Sequence, residues 1–505
     1  MKQKNRDRPN ILWICPDMLR YDAIHALGNS YISTPNIDSL VHEGVVFTRA
    51  YCQNTLCTPS RASFLTGRYP FATGVIGCGN EYFPPGETLV AKRLAGAGYD
   101  CGLVGKLHLS AVFQPPVESA GGMTYGEATR VELRPDDGYR IFHWNHDPMR
   151  DWGESDEYHR WLDEQGADWR QLRRKGSIPG RLHQSTWCAE KAIEFIERES
   201  KPPWLLSVNT FHPHTPFDVT ADAVRRFDID SLPGPLFRET DLVTQNAYLK
   251  DVDFSGSPTA VRPEDFALER LRSSQGVDLS GIPGDREKIL QAAYWACVEQ
   301  LDRQIGRILD SLKTSGQWED TVVIFHSDHG HPFGDHGLLG HAGCRFYDCL
   351  THVPLLFSWP GQFREGLRAE GLVELIDIVP TLHDLLGSAI PENTHGRSLV
   401  PVLTGEAEAG RIKEGARCEY YYSFDDFTGS WKGTYGTMLR DERYKLCVYH
   451  GLDVGELYDM DDDPHEFENL WDSPCHSDIK NSLMKRCFDR CMLSIDRGPK
   501  RIAHA

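Results

Sequence analysis

The chain has 505 residues, of which 40% are hydrophobic and 25% charged, and its formal net charge at pH 7 is −19. This length is too great for one compact core and predicts two domains. The acidic balance argues against a general nucleic-acid binder, because affinity for phosphate chains depends on Lys and Arg.

The sequence shows no segment of membrane-spanning length, and its basic start lacks the long apolar run of an export signal. Without such a signal, we interpret the fourteen cysteines as mostly free thiols in a reducing compartment. We therefore expect a cytoplasmic protein with no membrane partner and no nucleic-acid partner.

Short apolar runs alternate with helical patterns over most of the chain. Strands are predicted at 10–15, 99–105, 204–210, 321–328 and 353–359. Helices are predicted at 37–44, 87–98, 185–199 and 286–316. This alternation predicts an α/β fold in which a large, mostly parallel (mixed) sheet is sandwiched by helices.

Polar motifs follow three of these strands. Asp17 comes after the first strand, Lys106 and His108 come after the second, and Asp328 and His329 come after the fourth. Ligands of parallel sheets bind beyond the carboxyl ends of the strands. We therefore expect these side chains to converge on one site.

Two loop-rich stretches interrupt the alternation, at 111–184 and 218–285. Long insertions of this kind are usually functional, so we interpret both as walls of a substrate pocket. Towards the C-terminus the pattern changes to short antiparallel strands and a helix near 477–493. We predict a catalytic α/β domain over 1–404 and a smaller C-terminal α+β subdomain, with an antiparallel sheet, over 405–505.

A single cysteine stands before a predicted helix start in the stretch "NTLCTPSRASFLTGRYP". Thr58 suits the N-cap and Pro59 suits the first helical position, which places Cys57 at the mouth of the helix. Backbone N–H groups and the helix dipole favour negative charge there, and Arg61 adds a positive charge one turn later. This environment favours a reactive thiol, whereas the motif by itself is more often a buried structural cysteine with a solvent-facing arginine.

The whole stretch closely resembles the signature of the formylglycine-dependent sulfatases of the alkaline phosphatase superfamily. Further motifs similar to that family follow in its order: "RPNILWICPDMLRYD", "GYDCGLVGKLHL", "FHPHTPF", "DTVVIFHSDHG" and "GELYDMDDDPHEFENL". In the family a formylglycine-generating enzyme converts the cysteine to formylglycine (3-oxoalanine), and a hydroxyl of the hydrated aldehyde attacks the sulfur of a sulfate ester. The resemblance implies this maturation partner and this role for Cys57.

The resemblance also implies a metal site. Asp17, Asp328 and His329, together with the modified Cys57, would bind a divalent cation. Ca²⁺ is the first choice for such an oxygen-rich site, with Mg²⁺ and Mn²⁺ as alternatives. The cation would orient the attacking hydroxyl and neutralise sulfate oxygens.

Four further residues take roles from the resemblance. Arg61 would stabilise charge at the helix mouth, and Lys106 would donate to a sulfate oxygen. His108 would hold or deprotonate the second hydroxyl of the hydrated aldehyde. His214 would bind sulfate or protonate the leaving oxygen.

Two positions depart from the family pattern. Met18 stands where the family has Asp, Asn or Gln, and a thioether is a poor ligand for a hard cation. His341 stands where the family has a lysine, and we expect it to face the sulfate as a substrate-binding residue. The neighbouring His326, His331 and His336 would suggest a second metal site, but their spacing follows no zinc pattern.

The predicted reaction is therefore hydrolysis of a small-molecule or carbohydrate sulfate ester, such as a sulfated sugar or an aryl metabolite. One alternative is a phosphonate monoester or phosphodiester hydrolase of the same superfamily. The pair Lys106 and His108 favours the sulfatase over it. The other alternative is a degenerate sulfatase that only binds sulfated ligands, for which Met18 and His341 are the only support.

Overall fold

The computed structural model of the chain describes residues 8–80, 82–111, 117–118, 124–125, 134–150, 152, 156–198, 203–251, 260–265, 279, 281–340, 343–425 and 431–495. Sixteen strands lie in these ranges: β1 Asn10–Ile14, β2 Val45–Phe47, β3 Ala50–Tyr51, β4 Asp100–Gly105, β5 Val117–Glu118, β6 Thr124–Tyr125, β7 Ile141–Trp144, β8 Trp204–Asn209, β9 Thr321–His326, β10 Leu355–Ser358, β11 Leu367–Ala369, β12 Val373–Glu374, β13 Ala416–Asp425, β14 Trp431–Arg440, β15 Tyr444–Tyr449 and β16 Gly455–Asp459.

The same part of the chain forms fourteen α-helices: α1 Pro35–Glu43, α2 Cys57–Thr66, α3 Pro70–Thr73, α4 Val90–Gly96, α5 Glu157–Glu164, α6 Trp169–Lys175, α7 Gln184–Glu197, α8 Ala221–Arg225, α9 Glu239–Asp251, α10 Arg286–Thr314, α11 Asp348–Thr351, α12 Ile378–Leu385, α13 Val400–Thr404 and α14 Ser477–Leu493. Among the described residues, no helix is both long enough and apolar enough to cross a bilayer.

An eight-stranded sheet with the order β11-β2-β10-β9-β1-β8-β4-β7 forms the centre of the molecule. The neighbours β9, β1, β8, β4 and β7 all run parallel, whereas β10 runs antiparallel to both β9 and β2. Every residue of β1, β8 and β9 is buried, as expected of strands with both faces covered. The predicted α/β fold with a large mixed sheet is confirmed.

Helices cover both faces of this sheet. Alternate residues of β1 enter different cores: Leu12 packs on the side of α7 and α10, and Trp13 packs on the side of α2 and α4. The carboxyl ends of β9, β1, β8, β4 and β7 therefore meet at one edge of the sheet, between two helical layers. The loops that leave these ends carry the polar motifs.

The strand β7 lies within the stretch 111–184, which has no strand in the sequence prediction. Its Trp144 pairs with Gly105 at the end of β4, and the N–H of Asn145 donates to the Gly105 carbonyl at 3.3 Å. The parallel edge of the sheet thus extends by one strand. The residues after β7 join the same site as those after β4.

The C-terminal part forms a separate antiparallel sheet with the order β13-β14-β15-β16. The helix α14 packs against it through an apolar cluster that includes Leu446, Leu457 and Leu483. This arrangement agrees with the expected α+β character and antiparallel sheet. The division of the chain at residues 404 and 405 stays a prediction.

Candidate active site

The helix α2 places Cys57 at its first residue. Leu56 precedes it in an extended conformation as the N-cap, and no side chain caps the helix. The N–H of Leu56 donates to the Asn54 side chain at 2.8 Å, which fixes the entry of the chain into the helix. The prediction of Thr58 as the N-cap was therefore wrong. The helix begins at Cys57, so the N-cap is Leu56, two residues earlier. Pro59 has no N–H and the Ser60 N–H donates to the Leu56 carbonyl at 3.2 Å, so Cys57 and Thr58 carry the remaining N–H groups of the first turn.

Cys57 lies within a compact group of four buried side chains, together with Asp17, Asp328 and His329. Its Sγ is 3.5 Å from Oδ1 of Asp17 and 3.2 Å from Nε2 of His329. One ligand atom from each of the four lies within 4.8 Å of all the others. The structure thus brings together the four residues predicted to bind metal.

The donor set of this group fits a divalent cation. Two carboxylates and an imidazole are present, and in the encoded chain the thiol of Cys57 stands where an oxygen of a hydrated aldehyde would lie. Nδ1 of His329 lies 2.8 Å from the Gly330 carbonyl, which can only accept, so Nδ1 carries the proton. Burial alone would lower the pKa of His329, but Asp328 and Cys57 raise it to about 10, so Nε2 also holds a proton towards Cys57 Sγ, which a bound cation would displace.

Arg61 and Lys106 neutralise the two carboxylates. The Arg61 guanidinium lies 2.8 Å from Oδ2 of Asp328 and 3.3 Å from Oδ2 of Asp17, and Nζ of Lys106 lies 2.6 Å from the same Asp17 oxygen. Burial alone would raise the pKa of Asp17, but Lys106 and the other nearby cations hold it well below its usual range. Two carboxylates and two cations therefore face one another, and the formal charges of these four groups sum to zero.

The predicted histidines His108 and His214 lie on the same edge of the sheet. His214 follows β8, its ring packs on Phe211 with centroids 4.6 Å apart, and it is among the groups that lower the pKa of Asp17. Burial, followed by the charge of Lys106, lowers the pKa of His108 well below the usual histidine value. His108 is thus a neutral imidazole, able to accept a proton or a hydrogen bond.

A further histidine, His146, joins this group and was missed in the sequence. Its ring meets that of His108 edge to face at 4.3 Å, and Trp152 packs against it at 5.4 Å. Its Nδ1 is buried and makes no hydrogen bond within the described residues. Burial, then the charges of Lys106 and other site residues, lowers the pKa of His146 well below its usual value. The only sequence pattern that precedes this histidine is the short run "IFHW", which forms β7 directly before "NHD".

Met18 contributes its backbone to the site. Its N–H donates to Oδ1 of Asp328 at 3.1 Å, and its carbonyl accepts from the Tyr294 hydroxyl at 2.9 Å. It adopts a left-handed conformation with φ of 61°, which is unusual for a residue with a long side chain. Its side chain is buried. The loop after β1 is therefore tied to the loop after β9 through this residue.

Of the remaining predicted histidines, those in the described part of the chain lie outside the metal group. His341 lies outside the described residues. His326 is buried and lies 2.7 Å from Trp13 Nε1, and burial lowers its pKa to about 3, so it is a neutral core residue. His336 stacks on Tyr347 at 3.9 Å. Within the described ranges, neither these two nor His331 belongs to a group of three metal-binding side chains.

Comparisons with known proteins agree with this geometry. The family model described as "Sulfatase" matches residues 9–388, and the model "N-sulphoglucosamine sulphohydrolase, C-terminal" matches residues 334–491. A multifunctional alkaline phosphatase superfamily protein, PehA, from Trinickia caryophylli is 28% identical to this chain. The alignment covers 97% of this chain and 96% of PehA. The choline-sulfatase of Rhizobium meliloti is 28% identical, over 92% of this chain and 83% of its own length.

Among solved structures, the phosphonate monoester hydrolase of Agrobacterium radiobacter superposes with a TM-score of 0.78 at 25% identity, over 97% of both chains. The structure of BT4656 in complex with its substrate D-glucosamine-2-N,6-O-disulfate superposes with a TM-score of 0.73 at 21% identity, over 98% of this chain and 100% of that chain, which shows a shared fold. Because the sulfatase family model spans most of the chain, the protein belongs to the sulfatase family, within the alkaline phosphatase superfamily, and is a sulfuric ester hydrolase by that membership.

Proposed function

We propose that the protein hydrolyses a sulfate ester with a nucleophile derived from Cys57 by conversion to formylglycine. The single observation that carries this proposal is the position of Cys57 Sγ, at the open first turn of α2 and between Asp17 and His329. An atom at this position is adjacent to a cation site, to helix N–H groups and to two buried cations. These are the surroundings that a sulfate group and an attacking hydroxyl both require.

The hydrated aldehyde supplies one hydroxyl for attack on sulfur and a second hydroxyl whose deprotonation releases sulfate. A divalent cation, with Ca²⁺ as first choice and Mg²⁺ or Mn²⁺ as alternatives, supplies positive charge to the sulfate oxygens when bound. Asp17, Asp328 and His329 would hold it, together with residue 57. Overall, one water is consumed, and an alcohol and inorganic sulfate are released.

Local charge explains how a strongly acidic protein binds an anion. The carboxylates of Asp17 and Asp328 are balanced by Arg61 and Lys106, so the four groups sum to zero. A divalent cation therefore leaves the site with two positive charges, while the chain as a whole carries −19. A sulfate ester and an ionising hydroxyl supply the matching negative charge.

Two imidazoles would transfer protons in this reaction. His108 is held neutral by burial and by Lys106, which suits it to accept the proton of the second hydroxyl. His214 lies beside Asp17, where it is placed to bind sulfate or to protonate the leaving oxygen. Arg61 and Lys106 orient Asp17, and Lys106 is the nearer of these cations to it.

A small sulfated sugar or aryl metabolite is the proposed substrate. Relatives with names such as N-acetylglucosamine-6-O-sulfatase and arylsulfatase support both classes. The aromatic side chains of Trp152 and Phe211 near the imidazoles suit the face of a ring. A formylglycine-generating enzyme is the proposed maturation partner, and the cytoplasm is the proposed location.

A second candidate function is hydrolysis of a phosphonate monoester or a phosphodiester. The close superposition on a phosphonate monoester hydrolase supports it. Lys106 and His108 favour the sulfatase, because they place one cation and one neutral base beside the same anion. The third option, a protein that only binds sulfated ligands, has less support because all the charged groups of the site are present and paired.

A panel of 4-nitrophenyl esters separates these functions. The sulfate, the phenyl phosphonate and a phosphodiester share one leaving group, so the ratio of their kcat/KM values reports the group transferred. We expect the sulfate to be hydrolysed fastest and Cys57→Ala to abolish its turnover. Cys52→Ala, which removes a buried thiol five residues earlier, is the matched control and should retain activity. A larger kcat/KM for the phosphonate would overturn the sulfatase assignment.

A further inference from the structure

A second group of metal-type ligands lies under the loop that carries His214. His183 stands at the N-cap of α7, and His212 and Asp218 lie in the loop that follows β8. All three side chains are completely buried. None of them belongs to the group around Cys57.

The three side chains converge on one point. Oδ1 of Asp218 lies 3.0 Å from Nε2 of His183 and 2.8 Å from Nε2 of His212. The two imidazole rings are 4.0 Å apart between centroids. One ligand atom from each residue lies within 4.8 Å of both others. Two imidazoles and one carboxylate therefore surround one point, where they could supply three ligands to a metal ion.

Hydrogen bonds do not satisfy this cluster. Neither ring nitrogen of His212 makes a hydrogen bond among the described residues, although its Nε2 lies close to Asp218. The same holds for Oδ2 of Asp218 and for Nε2 of the adjacent Gln184. Buried polar atoms without partners are costly and rare, so several at one point require an explanation.

A metal-free triad is the competing arrangement. In it, Nε2–H of His183 donates to Asp218, while Nδ1 accepts from the Ser185 amide at 3.4 Å and meets its hydroxyl at 2.7 Å. That arrangement satisfies His183 but leaves both nitrogens of His212 unused. If instead Nδ1 of His183 donates to the Ser185 hydroxyl, its Nε2 presents a lone pair to the centre of the cluster.

We propose that His183, His212 and Asp218 bind one divalent transition-metal ion, with Zn²⁺ as the expected ion. For metal–ligand bonds of about 2.1 Å, ligand atoms 2.8 and 3.0 Å apart subtend roughly 85–90° at the metal, so a tetrahedral Zn²⁺ would move them apart to about 3.4 Å. Imidazole and carboxylate ligands together suit zinc and its neighbours in the first transition row. Asp218 can supply a further ligand atom by bidentate binding, since its Oδ2 has no hydrogen-bond partner among the described residues.

This ion would stabilise the conformation of the segment that carries His214. His212 and Asp218 flank His214 in sequence, and His183 joins that segment to the start of α7. The ion is thus separate from the catalytic cation and takes no part in the attack on sulfur. The inference stands whether or not the ester hydrolysed is a sulfate.

Metal analysis tests the inference on the full chain. The protein is produced in medium that contains zinc, passed through gel filtration to remove loose ions, and measured by inductively coupled plasma mass spectrometry. The double variant Asp17→Asn, Asp328→Asn removes the catalytic group, and we expect it to retain one zinc per chain. Absence of that zinc would overturn the inference, whatever the catalytic activity.

Single variants locate the ion. His183→Gln and Asp218→Asn, made in the double variant, should each lose the zinc. His159→Gln is the matched control, because His159 is also buried and paired with an aspartate, Asp156, at 3.2 Å. It should retain the zinc. Retention in His183→Gln, or equal loss in His159→Gln, would show that the zinc binds elsewhere, on surface or free thiol groups.

Cobalt gives a second readout on the same double variant, one that reports the type of ligand atom. Co²⁺ loaded into the double variant should show visible absorption bands of a nitrogen- and oxygen-ligated ion, without the intense charge-transfer band of a thiolate. Thiolate bands, or no bound cobalt, would contradict the site. This spectrum also distinguishes the cluster from adventitious binding at cysteines.

Discussion

Nζ of Lys106, at the end of β4, lies 2.6 Å from Oδ2 of Asp17, at the end of β1, and both side chains are buried. This contact joins two strands that are separated in the sheet by β8. It makes the lysine part of the same charged unit as the proposed cation site. Several properties of the protein depend on this unit.

Lys106→Met should cost both stability and activity. The variant leaves the buried Asp17 with Arg61 as its remaining salt-bridge partner, and loss of one partner of a buried pair costs about 3–5 kcal/mol. Unfolding in urea measures this loss, which should shrink in saturating Ca²⁺ because the cation then neutralises Asp17. We also expect kcat/KM for the sulfate ester to fall by at least roughly 100-fold.

Lys92→Met is the control for that experiment. Lys92 pairs with Asp136 at 2.7 Å on the surface, where such pairs contribute about 0–1 kcal/mol. Equal destabilisation of the two variants, or no effect of Ca²⁺ on Lys106→Met, would contradict the proposed link between Lys106 and the cation site.

His146→Ala should lower kcat/KM by about 10- to 100-fold, the effect of losing one hydrogen bond to the substrate. The bound catalytic cation should be unchanged, because His146 is not one of its ligands. His143→Ala is the control, since His143 lies on the same strand and pairs with Glu157 at 2.6 Å. If both variants lose the same activity, the effect comes from β7 and not from the imidazole at its end.

Met18→Asp should tighten cation binding. The substitution adds a carboxylate next to Asp17, and aspartate tolerates the left-handed backbone of this position better than methionine does. Without a cation the extra buried charge should lower the melting temperature, and with Ca²⁺ the melting temperature should rise. Isothermal titration of Ca²⁺ checks the affinity. An unchanged affinity would mean that the side chain of residue 18 does not reach the ion.

Asp156 predicts a pH dependence of stability. Burial raises the pKa of its carboxyl to about 7, against an ordinary value of about 4 in the unfolded chain. The folded state therefore holds the extra proton, and this contribution is complete below pH ~4 and is lost as the pH rises through ~7. Asp156→Asn keeps the cap on α5 and removes the titration. Between pH ~5 and pH ~8 the free energy of unfolding of this variant should therefore rise by about 1–3 kcal/mol relative to that of the wild type.

Asp168→Asn is the matched control for the pH experiment. Asp168 caps α6 through a hydrogen bond from the Arg170 N–H at 2.8 Å, but it is exposed. Its pH profile of unfolding should follow that of the wild type. A parallel profile for Asp156→Asn as well would show that Asp156 is ionised in the folded protein throughout this range.

The central strands were predictable because they are continuous apolar runs with both faces buried. The runs at 10–15, 204–210 and 321–328 became β1, β8 and β9 with ends shifted by one or two residues. The strand β7 was not predictable, since it is only four residues long, lies in a polar context and gains its place only by pairing with β4. A local sequence pattern indicates whether a segment is buried, whereas the pairing of β7 with β4 joins residues that are far apart in the chain.

The same distinction applies to the site. Cys57, Asp17, Asp328 and His329 were predictable because each sits in a motif whose order along the chain could be compared with a family. His146 was not, because only the position of β7 brings it to His108. The cluster of His183, His212 and Asp218 was also missed, since no motif spans the chain between α7 and the loop after β8.

Mass spectrometry of residue 57 tests the central claim most directly. Tryptic cleavage after Arg49 and Arg61 gives the peptide 50–61, "AYCQNTLCTPSR", which contains Cys52 and Cys57. In active protein made with a formylglycine-generating enzyme, we predict that residue 57 has lost one sulfur and two hydrogens and gained one oxygen, while Cys52 remains a thiol. A preparation that hydrolyses the sulfate ester at full rate with only a thiol at residue 57 would contradict the account.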